Sequence, residues 1–351
     1  MPQMGFLVSG ESFVWCHKGL LKIKELKPDN SILGIDEEGR PNWSMIPNGI
    51  RKYGKTRIFR ITTDGSEILL SESCEAFTIE GVRKASSISK GELLETFNIP
   101  EEIRFFLEGR EAAYVITDVG PIMIKGKMAY LLGTQIKSRK YEHKVIIDGL
   151  NPDHAYILAK LCSEALREQF IRGKIYYVAG GKKVRIDCDV VASICSNISE
   201  GNIPLSVRES NATALKEFLC GILDVILYLD EAVTPPTYFQ TFGVQSELRR
   251  FIFNVLRLHG VIPAKTYVVH PSGGTTYMRT FVNVSDLSRL GLKFIRSKEA
   301  IREAKPPIKK MSYSTVRNVA EFNDVAYYFS QPKLHWSPIV DLTPLHRHAL
   351  S

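Results

Sequence analysis

Between residue 7 and about residue 97, apolar and polar side chains alternate in short runs, as in 22–24, 31–35 and 57–62. These runs are broken by Pro28-Asp29-Asn30, Glu38-Gly39 and Asp64-Gly65. A period of two is the strand period, and Asp-Gly between apolar runs signals a hairpin. An all-β domain of many short strands is therefore expected. From about Lys127 the period lengthens. Residues 128–136 form an apolar helical segment and 145–147 read as a strand. Over 153–170 the apolar positions Ala155, Ile157, Leu158, Leu161, Cys162 and Leu166 fall at helical spacing. A hairpin follows, 175–178 with 184–186 around Gly180-Gly181, and then a short helix from Val190.

The same order then recurs. A helix is expected over 212–229, an extended segment over 237–244, and a helix over 247–258 ending at His259-Gly260, a C-cap signal. A hairpin joins 267–270 to 277–284, and a short helix starts at Asp286. Two passes through helix, strands, helix, hairpin and helix read as a diverged internal duplication. Pro306-Pro307 marks a boundary, and the tail to Ser351 is short and mixed. The expected organisation is a β domain over 1–105, a linker over 106–126, and a duplicated α/β domain over 127–305 with repeats of about 127–200 and 201–305. Residues 306–351 are a C-terminal segment and a candidate for completing the β domain.

The 351 residues are 44% hydrophobic and 24% charged, a globular balance with room for two or three domains. No run of about 18 apolar residues suggests a membrane span. The first 13 residues lack the pattern of a secretory signal. The 6 cysteines are scattered without a C-x-x-C pair, so neither a zinc site nor a disulfide framework is expected, and a cytoplasmic setting fits. The net charge of +8 favours polyanions, but on charge alone a basic protein with no such partner is an equal reading.

The run Val8-Ser9-Gly10-Glu11-Ser12-Phe13-Val14, followed in order by 19–28, 32–36, 65–71, 77–81 and 84–92, resembles the splicing (Hint) domain of inteins and hedgehog-type autoprocessing proteins. Two further segments resemble the paired signature helices of the LAGLIDADG homing endonucleases. They are Tyr130-Leu131-Leu132-Gly133-Thr134-Gln135-Ile136-Lys137-Ser138 and Phe218-Leu219-Cys220-Gly221-Ile222-Leu223-Asp224-Val225-Ile226-Leu227. Together the resemblances imply a multi-domain fold, an all-β Hint domain plus an α/β domain of two pseudo-symmetric αββαββα repeats. The chain is then a monomer with internal pseudo-twofold symmetry, and Gly133 and Gly221 are the points where the signature helices pack.

The resemblance also says which residues chemistry would need. Splicing starts from a thiol or hydroxyl nucleophile, and that position falls on Leu7. The Thr-x-x-His segment of the family falls on Ser71-Glu72-Ser73-Cys74, where Cys74 replaces the imidazole and is a poor proton donor. The family's closing His-Asn has no counterpart in His346-Arg347-His348-Ala349-Leu350-Ser351. Self-splicing is therefore not expected. DNA cleavage in the family uses a carboxylate at the end of each signature helix to hold divalent metal. Those positions fall on Ser138, after Lys137, and on Ile226. Asp224 stands two residues earlier, about 200° around the helix. The expectation is no catalytic residue, no metal and no cofactor.

Binding is the function left. The family lays antiparallel strands along the DNA major groove. Basic candidates are Arg139, Lys140, Lys144, Lys174, Lys182, Lys183 and Arg185 in the first repeat, and Lys265 and Arg279 in the second. Gln240, Gln245 and Tyr277 add polar candidates, Tyr176 and Tyr177 are candidates for stacking, and Arg51, Lys52, Lys55 and Arg57 for backbone contacts from the β domain. Each is equally well a solvated surface residue, and neighbours along a strand face opposite ways. The expected function is a noncatalytic nucleic-acid-binding protein derived from an intein with a homing endonuclease, acting on double-stranded DNA as a regulatory or architectural factor. An RNA-binding or ribonucleoprotein component, and a protein-interaction subunit of a larger complex, are the alternatives. A still-active endonuclease is the least expected. No aromatic motif of RNA-binding modules stands out along the chain.

Overall fold

The computed structural model describes residues 5–35, 41–45, 50–95, 99, 101–150, 152–178, 180–229, 237–242, 247–270, 274, 276–287, 290–292 and 313–330. The chain divides into two units. One comprises 1–103, 266–268 and 309–351, and the other 104–265 and 269–308. In chain order come β1 (Gly5–Ser9), β2 (Phe13–Cys16), β3 (Gly19–Lys22), β4 (Ser31–Ile35), β5 (Pro41–Met45), β6 (Ile50–Thr63), β7 (Glu67–Ser71), β8 (Glu75–Thr78), β9 (Gly81–Lys84) and β10 (Leu93–Glu95). Next are α1 (Glu101–Glu108), β11 (Tyr114–Thr117) and β12 (Gly120–Met123), so the stretch expected as a linker carries a helix end and a hairpin. Then follow α2 (Gly126–Thr134), β13 (Ser138–Tyr141), β14 (Lys144–Ile147), α3 (Pro152–Glu168), β15 (Lys174–Val178), β16 (Lys183–Asp187) and α4 (Asp189–Ser196). After α5 (Leu205–Arg208) come α6 (Ala212–Ile226), β17 (Leu227–Leu229), β18 (Thr237–Phe242), α7 (Glu247–Leu258), β19 (Lys265–Val269), β20 (Tyr277–Phe281) and α8 (Val284–Leu287). The last is β21 (Tyr313–Ser330).

The first unit is built of strands. One sheet runs β1-β7-β6-β21-β10-β8-β9, and β1 also pairs with β21. A second sheet runs β3-β2-β4-β5. The strands β1, β7, β6 and β21 thus close a ring in which each is paired on both sides. Val8, Ile61, Leu70 and Val316 of these strands pack with Val14 and Ile23 in one cluster, all buried. Asp64-Gly65 turns β6 into β7, with the Thr63 amide donating to the Ser66 carbonyl at 2.9 Å. Asp64 is buried, and its two oxygens accept from Arg317 at 2.6 and 2.9 Å.

The 18-residue β21 is the main departure from the sequence reading, which took this tail as short and mixed. It is antiparallel to β6 along most of its length, and to β1 and β10 on its other side. Asn318, Glu321, Asn323 and Asp324 interrupt its apolar residues and weaken its strand signature. Of the segment 306–351, the candidate for completing the β domain, residues 306–312 and 331–351 lie outside the described residues.

In the second unit each leading helix is followed by a four-stranded sheet. The orders are β13-β14-β16-β15 and β17-β18-β20-β19, the same when counted from α2 and from α6. Local signals place several ends. The Asn211 side chain accepts from the Ala214 amide at 2.8 Å and caps α6. Gly260, at φ 71, ends α7 in the left-handed conformation. The helix expected over 212–229 stops at Ile226 instead. Leu227, Tyr228 and Leu229 pair with Phe239, Tyr238 and Thr237, and this cross-strand pairing wins over residues that are competent for either structure. At the end of α3, Phe170 takes a left-handed φ of 55 with its side chain 96% exposed. A glycine there would relieve backbone strain without emptying any packed site. Phe170→Gly is expected to raise stability by about 1 kcal/mol, read as a higher urea midpoint at constant slope.

Candidate nucleic-acid interface

The two leading helices of the second unit meet at their glycines. A Cβ on Gly133 would land on the Phe218 carbonyl oxygen and within 2.9 Å of its carbonyl carbon. A Cβ on Gly221 would land on the Tyr130 carbonyl oxygen and 3.0 Å from the Thr134 nitrogen. The contact is reciprocal and backbone against backbone. Beside it the Tyr130 hydroxyl donates to Asp224 Oδ2 at 2.9 Å, and Asp224 is only 3% exposed. Burial, with the adjacent carboxylate, pushes the Tyr130 phenol well up, so it stays a protonated donor. Asp224 therefore faces α2 rather than the strand ends. Ile226 is fully buried at the end of α6, and Ser138 opens β13 with its hydroxyl donating to the Gln135 carbonyl at 2.8 Å. Lys137 Nζ bonds Glu200 at 3.0 Å. Among the described residues no group of three His, Cys, Asp or Glu side chains is placed to hold a metal ion.

The register of the first sheet sorts the basic candidates by face. One row across it reads Tyr141, Lys144, Asp187, Lys174, and the next Arg139, Ile146, Arg185, Tyr176. Lys183 stands further along the same face, paired with Val178. The opposite face carries Val145, Ile147, Val184 and Ile186, all buried. Five basic side chains, Arg139, Lys144, Lys174, Lys183 and Arg185, thus share one outer surface. Two carboxylates organise it. Arg139 and Lys183 reach Asp148 at 2.6 and 3.2 Å. Arg185 grips Asp187 with two bonds of 2.6 and 2.5 Å, which hold the carboxyl below its usual range, and its guanidinium lies 5.2 Å from the Tyr176 ring. Lys144 Nζ lies 5.2 Å from the Tyr141 ring.

Lys140 does not belong to this surface. It faces the other way, with Nζ donating to the Ile198 carbonyl, and burial pulls its pKa down. Strand alternation is the reason, since Lys140 pairs with buried Val145. Tyr177 also points to the inner side, its hydroxyl donating to the Pro152 carbonyl at 3.1 Å. Lys182 is exposed in the turn before β16. In the second sheet Arg279 pairs with Gln240, and its guanidinium lies 4.5 Å from the Tyr238 ring and 6.0 Å from Tyr277. Lys265 is exposed at the start of β19, and Gln245 lies outside the described residues. The aromatic residues Tyr228 and Tyr238, which the sequence reading did not select, stack at 5.5 Å on the outer face of this sheet.

In the first unit the positions that splicing chemistry would use are brought together. Cys74 Sγ donates to the Leu7 carbonyl at 2.8 Å, and Ser71 Oγ lies 3.3 Å from the same sulfur. Burial raises the Cys74 thiol, so it is protonated at neutral pH and a weak nucleophile. Of the basic residues of β6, Arg57 is tied to Glu321 at 2.8 Å, while Arg51, Lys52 and Lys55 are exposed. All six cysteines are buried and unbridged. With Ellman's reagent, the folded chain is expected to react slowly at every thiol and the urea-unfolded chain at all six. A fast thiol in the folded protein would contradict the buried placement of Cys74.

No family model matches the chain, and no curated protein matches it. Among solved structures it is similar to the homing endonuclease I-DmoI in complex with DNA and Mn, at 17% identity over 48% of this chain and 96% of that one, with a TM-score of 0.36. It is also similar to the DnaX mini-intein from Spirulina platensis, at 19% identity over 27% of this chain and 69% of that one, with a TM-score of 0.24. A third is a mutant form of the Ssp DnaB mini-intein, at 22% identity over 27% of this chain and 66% of that one, with a TM-score of 0.25. No helix among the described residues is long and apolar enough to cross a membrane.

Proposed function

We propose that this chain is a noncatalytic protein, derived from an intein carrying a homing endonuclease, that binds double-stranded DNA as a regulatory or architectural factor. The observation that carries the reading is the outer face of the first sheet, where Arg139, Lys144, Lys174, Lys183 and Arg185 converge from four strands over only two carboxylates. A twisted antiparallel sheet fits the major groove, where lysines take phosphates and an arginine on a central strand reaches base edges. The two helix-packed sheets are read as pseudo-twofold repeats, which would set a second strand surface beside the first in a monomer. The loss of catalysis rests on Leu7 and Cys74 in the first unit and on Ser138 and buried Ile226 in the second. None of these side chains supplies the nucleophile, imidazole or metal-binding carboxylate that either reaction needs.

The test is duplex binding across a salt series. The binding constant is expected to fall with salt by a logarithmic slope of about 0.9 per contacted phosphate. Plasmid DNA is expected to stay intact with magnesium or manganese, and the chain itself to stay uncut between foreign flanking segments. Affinity no better than that of an unrelated protein of equal charge would end the duplex reading. Metal-dependent nicking that disappears in Asp224→Asn would end the noncatalytic one.

A further inference from the structure

We propose that β11 is an open docking edge that takes one extended, basic segment of a partner protein as an added antiparallel strand. β11 and β12 form a two-stranded hairpin in which, among the described residues, each has one partner strand. The Ile124 amide donates to the Ala113 carbonyl at 2.8 Å, and bonded pairs alternate along the hairpin from there. Val115 with Ile122 is therefore a bonded pair. Tyr114 with Met123 and Ile116 with Pro121 are the pairs whose backbone groups turn outward. On the β12 side those groups are taken up within the chain. Pro121 has no N–H, the Met123 amide donates to Gln169 Oε1 at 3.4 Å, and the Met123 carbonyl accepts from the Lys125 amide at 3.1 Å. On the β11 side the amides and carbonyls of Tyr114 and Ile116 bond no described residue. Their side chains are open too, Ile116 being 80% and Tyr114 46% exposed.

Edges elsewhere in the chain are guarded. Among the described residues, the edge strands β3, β5, β9, β13, β15 and β19 each carry a lysine, an arginine or a proline, and β17 is only three residues long. Those are the usual devices against strand addition. β11 reads Tyr-Val-Ile-Thr and has none of them. Charge then selects the occupant. Between Glu111 and Ile124 the charged side chains are both carboxylates, exposed Glu111 and Asp118, in a chain of net charge +8. A second copy paired antiparallel about Val115 would bring Glu111 of one chain and Asp118 of the other to the same end of the ladder, where like charges repel. A four-residue edge also falls short of the roughly 1,200 Å² that a stable interface between folded chains buries. An extended segment needs no such area, because main-chain bonds to Tyr114 and Ile116 hold it. It carries apolar side chains opposite those two residues and a lysine or arginine at each end, near Glu111 and Asp118.

The probe is a fluorescein-labelled peptide with blocked ends, Lys-Thr-Val-Thr-Val-Thr-Lys, titrated with the full chain in the absence of nucleic acid and followed by anisotropy. Binding is expected to weaken by about 10-fold or more when both valines are N-methylated, which removes the amides that face Tyr114 and Ile116. It is expected to weaken by about 10-fold when both lysines become glutamate. Hydrogen exchange on the unaltered chain should show the Tyr114 and Ile116 amides gaining protection with peptide bound, while the Val115 amide keeps its rate, a readout that needs no variant to fold. Ile116→Pro removes an outward N–H that the hairpin does not use, and is expected to cost about 10-fold or more with the circular dichroism unchanged. Ile116→Val is expected to bind as the unaltered chain does. The proposal is overturned if the peptide does not bind at about 1 mM, if the N-methylated or the glutamate peptide binds equally well, or if the protection maps away from β11. It is also overturned if the chain sediments as a dimer that the peptide splits, because the edge then takes a second copy. No arm reads duplex affinity, so failure here leaves the DNA reading standing.

Discussion

Gly221→Ala is expected to destabilise the protein by about 3 kcal/mol or more, with Gly133→Ala close behind. Helix propensity alone argues the reverse, because alanine is favoured over glycine in a helix interior by about 1 kcal/mol. Packing decides the sign. The added methyl at position 221 would sit on the Tyr130 carbonyl oxygen, and at position 133 on that of Phe218. Both obstacles are helical backbone, so neither can turn aside as a side chain would. The helices must separate, and separation would open space around Leu131, Leu132, Phe218 and Ile222, all fully buried. Because the two glycines share one contact, the double variant should cost less than the sum of the singles. Urea unfolding followed by circular dichroism checks this, with Gly201→Ala as the control. A Cβ at Gly201 meets nothing within 4 Å, and its midpoint should not move. An unchanged midpoint for Gly221→Ala would refute the close approach.

The second large effect concerns the basic face. Lys144→Ala, Lys174→Ala and Arg185→Ala in one chain are expected to lower duplex affinity by two to three orders of magnitude, at roughly 10-fold per lost phosphate contact near 0.1 M salt. The salt slope should flatten by about 2.7 if all three touch phosphates, and by less if Arg185 reads a base edge instead. Arg185 must first exchange Asp187 for its new partner, so a matched duplex should lose more than a random one. Lys140→Ala is the internal control. It removes an equal charge from the opposite face, and filter binding should find its slope unchanged. A flattened slope for Lys140→Ala equal to that of Lys144→Ala would mean that bulk charge, not this face, drives binding.

The strands over 31–35 and 57–62, the helices over 152–168 and 247–258, and the Asp64-Gly65 turn were legible from local pattern, because each is fixed by residues one to four positions apart, whereas the run 22–24 leaves its strand at Lys22 and enters a 3-10 turn over Ile23–Glu25. Gly133 and Gly221 were named as packing points only through the resemblance to paired signature helices, and a Cβ on either would meet backbone of the other helix. Leu7 and Cys74 were each readable, but their separation of 67 positions hid that the thiol donates to the Leu7 carbonyl.

The sequence by itself determined where helical and strand periods lie and which side chains could carry charge. It could not assign faces, because the face of a strand residue depends on register, and register is set by partners distant in the chain. Lys140 turned inward for that reason while Arg139 stayed outside. The same long-range pairing ended α6 at Ile226, although Leu227 to Leu229 could have continued the helix. It also drew the polar-rich 313–330 between β6 and β1, where hydrogen bonds on both sides outweigh a weak local signal. The tyrosine pair of the second sheet follows from it too. Tyr228, Tyr238 and Arg279 come from three separate segments, and only the pairing of β17, β18 and β20 makes them one surface.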